Sequence, residues 1–325
     1  MKHCAVIGIG PIGSILSAHL LKEGIDVTLI DILKERLLAI EKKGLTVKDP
    51  RGHTTGDFVE YPKKFLDSLR EIKEKPDLIF ICVKTYCLMD VASEISEVFP
   101  APPKVVVFQN GLDNEDQAAK VFGKENVLRC IINYAGAMAS DTEVEITFFN
   151  RPNYIGVMDK ENTPLAQELA ETLTRSGLET EYTYDIKKHE WEKAILNACL
   201  ASVSTITGLT MKEVMDSPPL REIVQNLLLE GVKVAEGTGV KFSANFYESG
   251  LSYLSKGGYH KPSMLVDMEK GGKTEIDFLN AKIVEYGEKH DIPVPFNWTV
   301  TAMIKGLELK KQNLVNLKGV KNRAF

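Results

Sequence analysis

One predicted helix carries two polar residues whose spacing could serve chemistry. Residues 191–200, WEKAILNACL, are apolar around most of a helical surface, yet Lys193 and Asn197 lie four residues apart. Residues at that spacing share one side of a helix. The lysine head could extend into water while its stem covers apolar surface, or the ammonium and the amide could both face a polar ligand. The residues alone leave these two readings open.

A second polar cluster, KPSMLVDMEKGGKTEID, lies farther along the chain and contains Ser263. Thr274 is predicted to cap a helix over about 274–289. That helix would place Glu275 and Asp277 in its first turn, where the helix dipole favours carboxylates. A capped, acidic first turn accounts for both acids without a ligand. A binding role for this cluster therefore needs support from elsewhere in the chain.

The first 31 residues follow the order strand, glycine turn, helix, strand and acid. Residues 3–8 are nearly all apolar, which is typical of a strand buried on both faces. The chain then reads GIGPIG from Gly8 to Gly13, continues as a helical pattern to Gly24, and passes through a second strand to Asp31. This order predicts a dinucleotide-binding unit, whereas an isolated glycine turn would not.

Each glycine of this turn has a physical role in holding a nicotinamide dinucleotide. Gly8 permits the tight turn, Gly10 lets the backbone approach the pyrophosphate, and Gly13 lets the helix pack on the sheet. The helix N-terminus offers free N–H groups to the phosphates. The predicted cofactor-binding residues of the turn are Gly8, Gly10, Pro11, Ile12 and Gly13.

Asp31 predicts which dinucleotide is preferred. At the tip of the second strand, a carboxylate accepts hydrogen bonds from a ribose 2′-hydroxyl and repels a 2′-phosphate. NAD is therefore favoured over NADP. Lys34 and Arg36 follow closely and could soften that preference.

Strand and helix patterns alternate through the rest of the first half. Strands are predicted near 77–83, 104–108 and 126–132, with helices at about 87–98 and 114–121 between them. This alternation predicts a parallel, doubly wound sheet of the Rossmann type. An antiparallel hairpin, a helix and a last strand complete the unit, and their predicted ranges are 143–148 with 153–157, 164–175 and 178–184.

Two polar clusters follow strand ends in this pattern. Lys84 comes after one strand, with Thr85 and Tyr86, and Asn110 comes after the next, before Gly111. Ligands of such sheets bind beyond the carboxyl ends of the strands, so both clusters are candidates for the cofactor crevice. The alternative is a simple Asn-Gly turn and a solvated loop lysine.

Helical spacing takes over after residue 184. Helices are predicted at about 186–205, 219–238, 274–289 and 296–312, and the basic tail from Lys310 is predicted to be poorly ordered. The sequence thus predicts two domains, a dinucleotide-binding domain over 1–184 and an all-helical substrate and dimerisation domain over 185–325.

Composition excludes several classes of function. The 325 residues carry a net charge of −5, which disfavours nucleic acid as a partner. The chain has no apolar run that could span a bilayer and no evident signal peptide, and its five scattered cysteines form no metal-type pair. We expect a cytoplasmic protein with reduced thiols, no metal, and no membrane partner.

Together, these residues resemble the ketopantoate reductase family, also called 2-dehydropantoate 2-reductases. The resemblance covers nearly the whole chain. It rests on Gly8-x-Gly10-x-x-Gly13, Lys84-Thr85-Tyr86, Asn110-Gly111, Trp191-x-Lys193-x-x-x-Asn197, Pro262-Ser263-Met264-x-x-Asp267 and Thr274-Glu275-Ile276-Asp277. The last three motifs, in this order on one chain, are the specific part.

The resemblance implies an NAD(P)-dependent reductase that transfers hydride to the ketone of a small 2-oxo acid. It assigns the catalytic lysine to Lys193, as general acid, and the catalytic glutamate to Glu275, which also lies near the cofactor. It assigns substrate binding to Asn197 and Ser263. The family's lysine and asparagine on the cofactor side fall on Lys84 and Asn110, and Asn110 would also orient the substrate carbonyl. Related folds pair through the helical domain, so a homodimer is expected.

The chain departs from the family pattern at two informative positions. Ala201 stands where the family usually has a second substrate-binding asparagine, and Asp31 stands where many NADPH-using members carry a basic residue. These departures keep alternatives open. The chain could act on a different 2-oxo acid, could be a dehydrogenase of 3-hydroxy acids or opines, or could bind the dinucleotide as a sensor without turnover.

Overall fold

The computed structural model describes residues 1–321, and their side chains as far as Lys311. The chain divides into two compact units, Met1–His189 and Glu190–Phe325. The strands are β1 (His3–Ile7), β2 (Asp26–Ile30), β3 (Leu45–Lys48), β4 (Phe58–Glu60), β5 (Lys64–Leu66), β6 (Leu78–Ile81), β7 (Val105–Val107), β8 (Val127–Ile131), β9 (Tyr134–Met138), β10 (Glu143–Phe149), β11 (Asn153–Val157) and β12 (Thr180–Tyr182). The helices are α1 (Pro11–Lys22), α2 (Lys34–Lys43), α3 (Leu88–Val98), α4 (Asn114–Phe122), α5 (Thr163–Ser176), α6 (Ile186–Thr207), α7 (Met211–Asp216), α8 (Pro218–Gly237), α9 (Phe246–Ser255), α10 (Ser263–Glu269), α11 (Asn280–Lys289) and α12 (Pro295–Lys321).

The first unit is built on an eight-stranded sheet in the order β12-β11-β8-β7-β6-β1-β2-β5. All pairs are parallel except β8 with β11. The chain runs from β1 toward β2 and β5 on one side, and through β6, β7 and β8 on the other. The strand order therefore reverses between β1 and β6, which is where ligands bind in open sheets of this type.

Helices cover both faces of this sheet, because alternate residues of its strands point to opposite sides. Val6 of β1 belongs to one apolar core together with Leu16 of α1 and Leu169 of α5. Ile7, the next residue, belongs to a second core with Ile95 of α3. The predicted doubly wound α/β fold is confirmed.

The predicted hairpin of residues 143–148 and 153–157 is wrong. β10 pairs with β9 and β3 in a separate four-stranded sheet, in the order β4-β3-β10-β9. β11 instead lies between β8 and β12 in the main sheet, so both of its hydrogen-bonding edges are occupied. Alternation in a sequence predicts a strand but does not identify its partner, and the second sheet was not predicted.

The second unit is helical, as predicted, although some boundaries differ. The short helices α7, α9 and α10 were missed. The helix predicted over 274–289 is divided into a 3₁₀ turn, Ile276–Phe278, and α11. α12 continues to Lys321, beyond its predicted end near residue 312. The last part of the predicted poorly ordered tail, residues 322–325, lies outside the described residues. Among the described helices, none has the length and apolarity to cross a membrane.

Candidate active site

The glycine turn between β1 and α1 has the geometry of a dinucleotide-binding turn. Gly8 has φ +93°, and a Cβ added there would lie 2.9 Å from the backbone N of Val83. A Cβ on Gly13 would lie 2.0 Å from the Gly8 carbonyl oxygen. Gly10 differs, because no atom lies within 4 Å of the position its Cβ would take. The protein's own packing therefore requires Gly8 and Gly13, whereas Gly10 keeps one side of the turn open beside the N-terminus of α1.

Asp31 is bonded to this turn by its carboxylate. Its Oδ2 accepts a hydrogen bond from the Ile9 N–H at 2.6 Å, and its Oδ1 accepts one from the Leu33 N–H at 2.9 Å. These bonds hold the carboxylate at the carboxyl end of β2, and each oxygen retains a lone pair for a further donor. The role of ribose ligand stays a prediction for this side chain.

The two cations that follow Asp31 have partners of their own. Lys34 Nζ pairs with Asp67 at 2.8 Å. Arg36 Nη1 donates to the Ile9 carbonyl oxygen at 2.9 Å, so its guanidinium lies against the outside of the glycine turn. Arg36 is therefore the closer of the two to the predicted cofactor site.

The loops after β6 and β7 are joined at the carboxyl edge of the sheet. Thr85 Oγ1 donates to the Asn110 carbonyl at 2.8 Å, and Gln109 Nε2 donates to the Val83 carbonyl at 2.6 Å. Asn114 Nδ2 also donates to the Asn110 carbonyl, at 2.7 Å. Since Val83 also contacts Gly8, the structure brings the loop that bears Lys84, the Asn110 loop and the glycine turn to one edge.

A buried ion pair beneath the Asn110 loop was missed in the sequence. Arg129 of β8 donates to the Gln109 carbonyl at 2.7 Å and to the Gly111 carbonyl at 2.9 Å. Its Nε lies 3.3 Å from Glu115 Oε2, and both residues are 1% exposed. The carbonyls on both sides of Asn110 are thus held by one guanidinium. An arginine inside the apolar run VLRCII is the signal that could have identified it.

Lys187, in the first turn of α6, extends this buried network. Its ammonium pairs with the other Glu115 oxygen and with Asp116 Oδ2, at 2.7 Å in the second case. The Glu115 carboxylate therefore lies between two cations, which offsets the cost of burying its charge.

In the second unit, α6 carries Lys193 and Asn197 as a polar stripe. Both residues are half-buried, whereas their neighbours Ala194 and Ala198 are buried. Burial lowers the pKa of the Lys193 ammonium from 10.5 to about 8. Ala201, one turn beyond Asn197, is buried. A lysine with this pKa exchanges a proton readily near neutral pH, which a solvated lysine does not.

The segment around Glu275 corrects the predicted helix cap. Thr274 Oγ1 accepts from the N–H of Ile276, the first residue of the 3₁₀ turn, at 3.3 Å, and α11 begins only at Asn280. Glu275 is 7% exposed. A carboxylate in a solvated first turn would be exposed, so the capping explanation does not account for this residue. Ser263 is the exposed first residue of α10.

In the described part of the chain, no group of three or more His, Cys, Asp or Glu side chains could hold a metal ion. The buried polar groups of the described residues include Arg129, Glu115, Glu275 and Asn280.

Two family models match the chain in succession. The model for Ketopantoate reductase PanE/ApbA matches residues 4–160, and that for Ketopantoate reductase PanE/ApbA C terminal matches residues 185–308. The 2-dehydropantoate 2-reductase of Pyrococcus horikoshii is 30% identical over 303 residues, which cover 93% of this chain and 96% of that protein. The enzyme of that name from Archaeoglobus fulgidus is 30% identical over 95% of this chain and 98% of its own.

Solved structures share the fold. A PanE/ApbA family ketopantoate reductase from Ralstonia eutropha superposes with a TM-score of 0.85 at 23% identity, over 96% of this chain and 100% of that one. The structure of D-mandelate dehydrogenase with NADH and anilino(oxo)acetate superposes with a TM-score of 0.83 at 22% identity, over 96% of this chain and 100% of that one. At these identities the similarity concerns the fold.

Proposed function

This chain belongs to the ketopantoate reductase family, and from that premise we propose that it reduces the ketone of a 2-oxo acid, with ketopantoate as the first substrate to test. Membership in the family makes the chain an oxidoreductase with a nicotinamide cofactor. The observation that carries the proposal is Lys193, a half-buried lysine whose pKa lies near 8, in line with Asn197 on α6.

The first unit would hold the cofactor through its glycine turn. The open side of Gly10 gives the backbone access to a pyrophosphate, and the free N–H groups in the first turn of α1 would bind its negative charge. Asp31 would accept hydrogen bonds from the ribose hydroxyls, and its charge would repel a 2′-phosphate. When bound, the reduced nicotinamide supplies the hydride.

Lys193 would act as the general acid. Negative charge grows on the ketone oxygen as hydride reaches the neighbouring carbon, and an ammonium stabilises that charge and delivers the proton. A pKa of about 8 makes the ammonium a better acid than a solvated lysine, while most of it remains protonated at neutral pH.

The remaining predicted residues would bind and orient the substrate. Asn110 would direct the carbonyl, and its loop is already held in place by Thr85 and by Asn114. Asn197 and Ser263 would bind the carboxylate or a hydroxyl, and Glu275 would accept a hydrogen bond from a hydroxyl. The Ala201 side chain cannot form such a hydrogen bond. The substrates to be tested should therefore include 2-oxo acids that lack one of the polar groups of ketopantoate.

The test of this function is steady-state oxidation of NADH and NADPH with ketopantoate and a panel of other 2-oxo acids. We expect turnover, with NADH preferred. Turnover of another 2-oxo acid in place of ketopantoate would support the function and assign Ala201 to a changed specificity. Tight NADH binding without turnover of any acid in the panel would contradict the proposed activity and support a sensor.

Replacing Asp31 with asparagine should reduce the preference for NADH. The variant keeps the shape and one acceptor but loses the charge, so bonds to the ribose weaken by about 1 kcal/mol and repulsion of a 2′-phosphate disappears. The ratio of kcat/KM for NADH to that for NADPH should fall about tenfold. Asp216→Asn is the matched control, because Asp216 is an exposed carboxylate of α7 that pairs with Lys212. An unchanged ratio in Asp31→Asn would remove Asp31 from cofactor selection.

The proposed acid also predicts how kcat depends on pH. Because burial lowers the pKa of Lys193 to about 8, the ammonium is present below that pH and is lost above it. The kcat should therefore be nearly constant at neutral pH and fall about tenfold per unit well above pH 8. Measuring kcat from pH 6 to 10 tests this, and a flat profile up to pH 10 would contradict the assignment.

A further inference from the structure

Asn280, at the start of α11, is a fully buried amide that the proposed reaction does not use. Its Nδ2 donates to Asn297 Oδ1 at 3.0 Å and to the Ala198 carbonyl at 3.4 Å. Its Oδ1 is buried and has no hydrogen-bond partner among the described residues. Such an amide costs stability that an apolar side chain would not, so stability alone does not account for it.

Glu230 of α8 determines how Asn297 presents its amide. Glu230 Oε2 accepts from the Asn297 N–H at 2.9 Å and from its Nδ2 at 2.8 Å, while Oε1 accepts from the Phe296 N–H at 2.9 Å. The carboxylate thus caps the N-terminus of α12, where the helix dipole favours a negative charge. Because Nδ2 of Asn297 is used by Glu230, its Oδ1 is left to face Asn280.

The segment that carries Glu275 is attached to α12 at two further points. The Thr274 N–H donates to Glu308 Oε1 at 2.7 Å. Asp277 pairs with Lys305 at 2.7 Å. Together with the Asn280–Asn297 bond, these contacts hold residues 274–280 along α12 on both sides of Glu275.

Asn280 also joins this segment to α6. The carbonyl that it binds belongs to Ala198, the residue after Asn197 on the helix that carries Lys193. One buried amide therefore contacts both α12 and α6. The same amide lies between the segment that carries Glu275 and the helix that carries the polar stripe.

We infer that Asn280 is a positioning residue, and that the Glu230–Asn297–Asn280 network sets the spacing between Glu275 and the Lys193–Asn197 stripe. The inference rests on the proposed function, in which both groups meet the substrate. Misplacement of a reacting group by about 1 Å lowers a rate about 10²-fold. The network would supply this precision from groups that never touch the substrate.

The test is Asn280→Asp, which keeps the size of the side chain but replaces its donor with acceptors. A carboxylate would face two hydrogen-bond acceptors, Asn297 Oδ1 and the Ala198 carbonyl oxygen, and could donate to neither. The hydrogen bond between residue 280 and α6 would therefore be lost. We expect kcat to fall at least about tenfold, a larger effect than on KM or on the Kd for NADH, because the glycine turn and Asp31 lie in the first unit. Glu230→Gln should lower kcat in the same way but by a smaller factor. It provides the test if Asn280→Asp fails to fold.

Val224→Ala, in the apolar interior of α8, is the matched control for lost stability. It should lower the thermal midpoint and leave kcat within about twofold of wild type, because a valine side chain takes no part in the hydrogen bonds of the network. Wild-type kcat in Asn280→Asp and Glu230→Gln would overturn the inference.

A measurement that does not depend on enzyme activity distinguishes this inference from the proposed function. Crystal structures of the wild type and of Asn280→Asp should show the Glu275 carboxylate displaced relative to α6 by about 1 Å or more. An unchanged Glu275 would overturn the positioning role even if no substrate were known. A displaced Glu275 in a protein that reduces no 2-oxo acid would leave the positioning role standing and would refute the proposed function.

Discussion

Replacing Lys193 with methionine should lower kcat for 2-oxo acid reduction by about 10²–10⁴-fold, the usual contribution of a general acid. Methionine keeps the apolar stem and removes the ammonium, so the ketone oxygen would lose both its stabilising charge and its proton donor. The thermal midpoint of the variant, measured beside kcat, separates loss of the acid from loss of folding.

The measurement is kcat and KM for wild type, Lys193→Met and a control, Lys233→Met. Lys233 is an exposed lysine of α8, and its replacement should leave kcat within about twofold. The Kd for NADH should be unchanged in both variants. Lys193→Met with full turnover would show that this lysine only covers apolar surface with its stem, and the proton donor would have to be sought elsewhere.

Replacing Arg129 with methionine should lower the free energy of unfolding by about 3–5 kcal/mol, the usual cost of removing one partner of a buried ion pair. The change leaves Glu115 buried without its nearest guanidinium, although Lys187 still contacts it. It also leaves the Gln109 and Gly111 carbonyls without their donor. Because these carbonyls flank Asn110, the variant protein that remains folded should also have a lower kcat.

Urea denaturation followed by circular dichroism measures the loss, with Arg175→Met as the control. Arg175 pairs with Glu23 at 3.2 Å, but its side chain is 59% exposed, so its replacement should cost no more than about 1 kcal/mol. Equal losses in the two variants would show that the Arg129 pair contributes no more than a surface pair.

Local sequence patterns determined the architecture of this protein and the identity of its principal polar residues. The glycine turn, the short apolar strands and the alternation with helices predicted the doubly wound sheet, because each is a property of a few consecutive residues. The change to helical spacing after residue 184 predicted the helical second unit for the same reason. The polar stripe of Lys193 and Asn197 was also visible, since four-residue spacing places side chains together wherever a helix forms.

The tertiary structure determined which strands pair and which polar side chains meet. Residues 143–149 and 153–157 both read as strands, yet β10 and β11 belong to different sheets, because pairing depends on which edges distant strands leave open. In the same way, Glu275 was predicted to lie in an acidic first turn, and only the folded chain buries it. The contacts of Arg129 with Gln109, and of Asn280 with Ala198 and Asn297, join residues far apart in the chain. Periodicity in the sequence predicts which side of an element is buried. Only the folded chain determines which polar groups meet there and how burial changes their chemistry.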